Sequence, residues 1–167
     1  MQLSLFLSRP RIVLALVLLL LTVPAWAGDT ASDRASLKGV DSVQVAVENM
    51  RPDAERDGLT SSQIQTDVEL RLRQSGIKVD SSSPCMLYVR VSTLRNDDGR
   101  YAFNILVSLE QPVMLQRNPK IVQPFASTWN VAEIGTAGAT RLRDVRSAVI
   151  DEVNKFISAY LEENPKP

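Results

Sequence analysis

The stretch MLYVRVSTLRNDDGRYAFNILVSL, residues 86–109, decides the fold. Leu87, Val89 and Val91 alternate with Tyr88, Arg90 and Ser92, and Tyr101, Phe103, Ile105, Val107 and Leu109 repeat the pattern after the turn. Successive side chains of a strand point to opposite faces, so this period-two pattern predicts two strands, each with one buried face. Asn96-Asp97-Asp98-Gly99 between them is turn chemistry. The two halves read as an antiparallel hairpin.

Upstream, Val43, Val45 and Val47 predict a first strand within Val40–Val47, followed by a turn-rich stretch from Asn49 to Gly58 that contains Pro52. Thr60-Ser61-Ser62-Gln63 has capping-box spacing, and Ile64, Val68 and Leu72 lie four apart before Gly76. Together they predict a helix with a cap, an apolar stripe and a glycine stop. Ile77–Val79 reads as a short strand and Ser81–Pro84 as a turn.

Downstream, Gln111-Pro112 interrupts the hairpin, Arg117–Lys120 turns the chain, and Phe125–Ile134 forms the last strand. Pro124 marks an edge or a bulge at its start. The small-residue segment Gly135–Thr140 reads as a loop. Leu142, Val145, Val149, Val153, Phe156 and Tyr160 then predict a long amphipathic helix that stops at Asn164-Pro165. The order β-α-β-β-β-β-α implies an α+β two-layer sandwich, a mainly antiparallel sheet with two helices on one face.

Residues 1–27 read as a secretory signal. Arg9 and Arg11 precede the uncharged run Ile12–Val23, Pro24 breaks it, and Ala25-Trp26-Ala27 is the cleavage signature. The run is too short to span a bilayer, which takes roughly 20 apolar residues. Cleavage leaves residues 28–167 with a net charge of about −2, enough chain for one core. The expected division is a signal at 1–27, a loose polar leader at 28–38 and a single domain at 39–167. The protein is expected to be exported, periplasmic or secreted, with no stable membrane span after cleavage.

Composition excludes several chemistries. The 167 residues hold 19 Lys+Arg, 19 Asp+Glu, one Cys and no His. Without histidine there is no Ser-His-Asp triad, Cys-His dyad or histidine-ligated metal. A lone Cys85 closes no disulfide within the chain and builds no thiolate metal site, although in an oxidising compartment it could link two chains. A balanced charge scattered along the chain is not the basic stripe that nucleic acid requires.

The element order over residues 40–162 resembles that of the N-terminal domain of the Tol–Pal translocation protein and the periplasmic domain of the curli secretion channel. There too a strand and a turn-rich segment lead to a helix, a hairpin and a closing helix. Ser127-Thr128-Trp129-Asn130 and Phe156–Leu161 resemble stretches of small exported proteins of unassigned function. The resemblance implies an envelope domain and brings no active site.

Two segments suggest ligands. Asp53, Glu55 and Asp57 before Gly58 imitate the start of an EF-hand loop, but Ile64 stands where a bidentate glutamate belongs and Arg56 adds a repelling charge. Gly135, Gly138 and Thr140, followed by Arg141, Arg143 and Arg146, place small residues and then cations at a predicted helix start. Macrodipoles disfavour cations there, which points to an anion or an acidic partner; the alternative is offset by nearby acids such as Asp144. Asp97-Asp98 and Glu162-Glu163 are carboxylate pairs in a turn and at a helix end. No cofactor or metal is expected. The sequence favours a non-catalytic envelope module that binds a protein partner or an envelope component, with exposed sheet edges around Pro112 and Pro124 as the natural docking sites. The alternatives are a His-free hydrolase of glycan or peptide and an anion or lipid-headgroup binder.

Overall fold

The hairpin strands lie where alternation places them, while the last strand extends past the expected Phe125–Ile134 at both ends, in a computed structural model that describes residues 29–165. The signal reading at 1–27 lies outside the described residues. Four strands form one sheet in chain order: β1 (Gln44–Val47), β2 (Met86–Arg95), β3 (Arg100–Leu115) and β4 (Asn118–Gly138). β1 runs parallel to β2, and the other two pairings are antiparallel. The hairpin register runs from Met86 opposite Glu110 to Arg95 opposite Tyr101. The short strand expected at Ile77–Val79 is only an isolated parallel bridge from Val79 to Val43.

The helices are α1 (Ala31–Ala35), α2 (Pro52–Arg56), α3 (Ser61–Gln74) and α4 (Val145–Glu163), with a 3₁₀ turn at Ala139–Asp144 before the last. α3 and α4 lie on the same face of the sheet and bury the alternating side chains Leu87, Val89, Ile105, Val107 and Leu109. This is the α+β two-layer fold that the patterning implies. Thr60 Oγ1 accepts from the Gln63 amide at the start of α3, while the reciprocal bond from Gln63 is not formed. Gly76, at φ 79°, ends α3 in the left-handed region, and the Ile77 amide donates to the Leu72 carbonyl.

Three expectations are corrected. The leader is ordered from Asp29. Thr30 and Asp33 form a capping box at the start of α1. Arg34 donates to both oxygens of Asp29, at 2.8 and 2.6 Å, and Trp129 Nε1 donates to Asp29 Oδ1 at 2.8 Å. A polar composition does not prevent docking when its charges find fixed partners. The turn-rich stretch after β1 contains α2, because Pro52 sits in the first turn, where a missing amide costs nothing.

The interruption at Pro112 is absent. β3 passes through it, and the register slips between Gln111 and Val113 so that Pro112 falls in a bulge. Beyond Glu110 the third strand has no β2 ladder partner, so residues 111–126 form a two-stranded arm whose ladder runs only between its own strands, anchored at its base by the Gln111 side chain, which donates to the Ser36 carbonyl.

α4 is fixed along its C-terminal half. Phe156 meets Trp129 edge to face, with ring centroids 5.4 Å apart. At the far end Asn164 accepts from the Gly39 amide at 2.8 Å and donates to the Leu37 carbonyl at 2.9 Å.

Candidate functional site

Gly135, Gly138 and Thr140 do not form the loop expected of them. Gly135 and Gly138 belong to β4 and pair with Phe103 and Arg100, and Thr140 lies in the 3₁₀ turn. Period-two alternation was masked here because small residues occupy both faces. Extended backbone in a ladder turns successive amides to opposite sides, so this segment cannot act as a nest of converging amides for an anion. The Val145 amide likewise donates back to the Leu142 carbonyl, and the 3₁₀ turn feeds α4 without an open, uncapped start.

What the segment does build is a cleft of about 260 Å³ between the end of β4 and the start of α4. Its walls include Phe103, Ala137, Gly138, Arg141, Asp144 and Val145. The Phe103 ring stands over Gly135, where a Cβ would come within 2.4 Å of its Cζ. Only glycine at 135 permits that approach. A second hollow of about 470 Å³ lies beside it, with Asp67, Arg143, Arg146 and Asp151 on its rim.

The three arginines do not converge on one point. Arg141 is exposed and pairs with Asp144 at 3.0 Å. Arg146 makes a two-pronged contact with Asp67 of α3, Nε to Oδ2 at 2.7 Å and Nη2 to Oδ1 at 2.8 Å. Arg143 is exposed and has no ion-pair partner among the described residues. Acidic neighbours therefore offset two of the three cations, and Arg146 ties α4 to α3.

These roles predict different outcomes on charge reversal. Arg146→Glu sets two carboxylates against each other across α3 and α4 and is expected to lower stability by about 1 kcal/mol. Arg143→Glu is expected to leave it unchanged within about 0.5 kcal/mol. Urea unfolding of the two variants checks both.

The other candidates are placed apart. Asp53, Glu55 and Asp57 sit on or beside α2 and diverge. Asp53 bonds the Ala54 amide, Glu55 faces solvent, and Asp57 accepts from the Tyr101 hydroxyl at 2.8 Å. Among the described residues no group of three or more Cys, Asp or Glu side chains is arranged to hold a metal ion. Asp97 and Asp98 are exposed in the hairpin turn, and Glu162 pairs with Arg34. Cys85 is half-buried, its Sγ 3.7 Å from Gln111 Oε1, and burial pushes the thiol above its ordinary range. That favours the protonated thiol over the reactive thiolate.

Two exposed surfaces remain, one at the Pro112 and Pro124 edge that the sequence reading named and one that it missed. The missed one is the sheet face turned away from the helices, which no described element covers, with Leu94 63% and Ile134 82% exposed. The arm carries Met114 and Val122, cross-strand partners that are 70% and 57% exposed, along with exposed Ile121 and Phe125. The signal for the arm was present, since no acid lies between Glu110 and Glu133, while Arg117 and Lys120 sit near the turn.

No helix among the described residues is long and apolar enough to cross a membrane. No protein-family model matches the chain, and no curated protein does. Among solved structures the chain is similar to a dodecamer of a PelC variant from Paraburkholderia phytofirmans, at 17% identity over 72% of this chain and 86% of that one, with a TM-score of 0.38.

Proposed function

We propose that this protein is a non-catalytic, exported envelope module that binds a protein partner. The observation that carries the reading is the arm at residues 111–126. Ile121 and Val122 are neighbours on one strand, so their side chains leave opposite faces, and both are exposed. Strand edges and apolar side chains in water are usually blunted by charge or covered. Here the arm holds two cations, no acid and four large exposed apolar residues. Burying each of these side chains in an interface contributes about 1.5–3 kcal/mol. The partner surface that fits is apolar with an acidic rim.

The competing hydrolase reading needs two free carboxylates converging in a cleft. Of the acids at the two clefts, Asp144 faces Arg141 and Asp67 is held by Arg146, which leaves Asp151 without a second free carboxylate beside it. This supports the binding module over the enzyme.

In-cell cross-linking of the tagged protein, followed by mass spectrometry, tests the proposal. The expected result is one dominant envelope protein, captured at least tenfold less by Met114→Ser/Val122→Ser, with the melting temperature of that variant unchanged. Equal capture by both proteins would remove the arm from the interface, and no reproducible capture would overturn the module reading itself.

A further inference from the structure

One charged side chain lies in the core without its full set of partners. Glu152 is 1% exposed, on the buried face of α4. Its Oε1 meets Lys155 Nζ at 2.5 Å, and its Oε2 is buried with no hydrogen-bond donor. A buried carboxylate oxygen left unpaired forfeits its hydration with nothing in return, so such atoms are rare in stable folds. The facing carboxyl is that of Glu133: β4 meets α4 at Trp129 and Phe156 on one side and at Ala137 and Ala148 in the cleft on the other, which sets Glu133 against Glu152 between them. Two ionised carboxylates repel and offer each other no donor. Placing a proton on Glu133 supplies the missing donor.

We propose that Glu133 and Glu152 form a proton-sharing latch across the β4–α4 seam, closed when Glu133 is protonated. The charged groups around it are few. Lys155 of α4 pairs with Glu152, and Asp151 of α4 adds a repelling charge at Glu133. Asp29, held by Arg34 of α1, lies within electrostatic reach of Lys155 from the other side. Of these charges only Lys155 favours ionisation of Glu133. Burial, then the facing Glu152, raise the Glu133 carboxyl above its ordinary range.

The sign follows from that direction. A raised acid binds its proton more tightly in the folded chain than in the unfolded one. The latch therefore contributes fully below the ordinary glutamate range, near 4.5, and is lost as pH rises through the raised value. Above it two carboxylates face each other beside one lysine. The β4–α4 seam weakens there, and edge strand β4 loses part of what holds it to the second layer.

Melting curves of the full domain between pH 4 and 8 test the latch. Glu133→Gln carries a permanent amide donor toward Glu152 Oε2. It is expected to match the wild type near pH 4 and to melt about 2–4 °C higher at pH 8, with a flatter slope between. Carboxylates held below their ordinary range, such as Asp29 and Glu69, contribute the opposite slope in both proteins and cancel in the difference. A second readout is the carbon-13 titration of the Glu133 side-chain carboxyl, expected to have a midpoint above that of an exposed glutamate such as Glu55. Parallel melting profiles, or a Glu133 midpoint at or below that of Glu55, would overturn the latch.

Discussion

Trp129→Ala is expected to remove about 3–5 kcal/mol of stability. Small domains have only about 5–15 kcal/mol in total, so this single change leaves a protein near its unfolding limit. Trp129 is fully buried, and its indole meets the Phe156 ring edge to face, so truncation leaves a large cavity between β4 and α4. The loss is also polar. Trp129 Nε1 donates to Asp29, which sits almost buried against Arg34 at the entry of the chain into the fold.

Trp129→Phe separates the two effects. It keeps most of the volume, removes the donor and is expected to cost about 1–2 kcal/mol. Burial alone would push the Asp29 carboxyl up, yet the bonds from Arg34 and Trp129 hold it below its ordinary range. A lowered acid contributes stability above its unfolded value of about 3.8, and that contribution is lost as pH falls through the folded value. Without the indole donor the folded value moves up, so Trp129→Phe should begin acid unfolding at a higher pH than the wild type. Urea midpoints at pH 7 give the first effect, and an acid titration followed by circular dichroism gives the second. Equal acid midpoints for the two proteins would detach Asp29 from Trp129.

These contacts mark where sequence reading stops. Alternation along residues 86–109 gave the hairpin and its register because period two is a local property of a half-buried strand. The Thr60 cap, the four-residue spacing of Ile64, Val68 and Leu72, and Gly76 defined α3 for the same reason: each signal lies within the helix it describes. The α4 stripe was legible too, and so was its anomaly. Glu152 stands three residues after Val149 and one before Val153, inside the apolar stripe. Its partner Glu133 lies on another element, and no spacing rule joins the two.

The candidate site was misread through its small residues. Gly135 to Gly138 carries no apolar alternation and a single β-branched residue, Thr136, and its strand character comes from pairing with residues 100–103. For the arginine cluster only Asp144 could be named as an offsetting acid, because Asp67, the partner of Arg146, is 79 residues away in sequence. Asp29 looked like part of a leader because its partners are Arg34, nearby, and Trp129, 100 residues on. Long-range pairing of charges and of backbone ladders is what the one-dimensional pattern does not carry.

Gly135→Ala joins the fold to the cleft, and its sign depends on one neighbour. Gly135 is not at positive φ, so its backbone does not require glycine. In a strand, glycine is about 0.5–1 kcal/mol worse than alanine through the entropy of the unfolded chain, and on that ground alone the substitution should stabilise. Phe103 reverses the sign. An alanine Cβ would stand 2.4 Å from Cζ and 2.9 Å from Cε1 of the ring, far inside contact distance. The ring is the movable partner, and the cleft it lines is the open space beside it.

Gly135→Ala is therefore expected to cost about 1–3 kcal/mol and to drive Phe103 into the cleft. Phe103→Leu removes the far end of the ring. In that background the same Gly135→Ala change is expected to be neutral or to stabilise by about 0.5 kcal/mol. A double-mutant cycle in urea measures the difference as a coupling of about 1–3 kcal/mol. A coupling near zero would mean that Phe103 does not set the glycine requirement. A destabilisation that persists with leucine at 103 would place the clash in the β3–β4 backbone, where no cleft could absorb it.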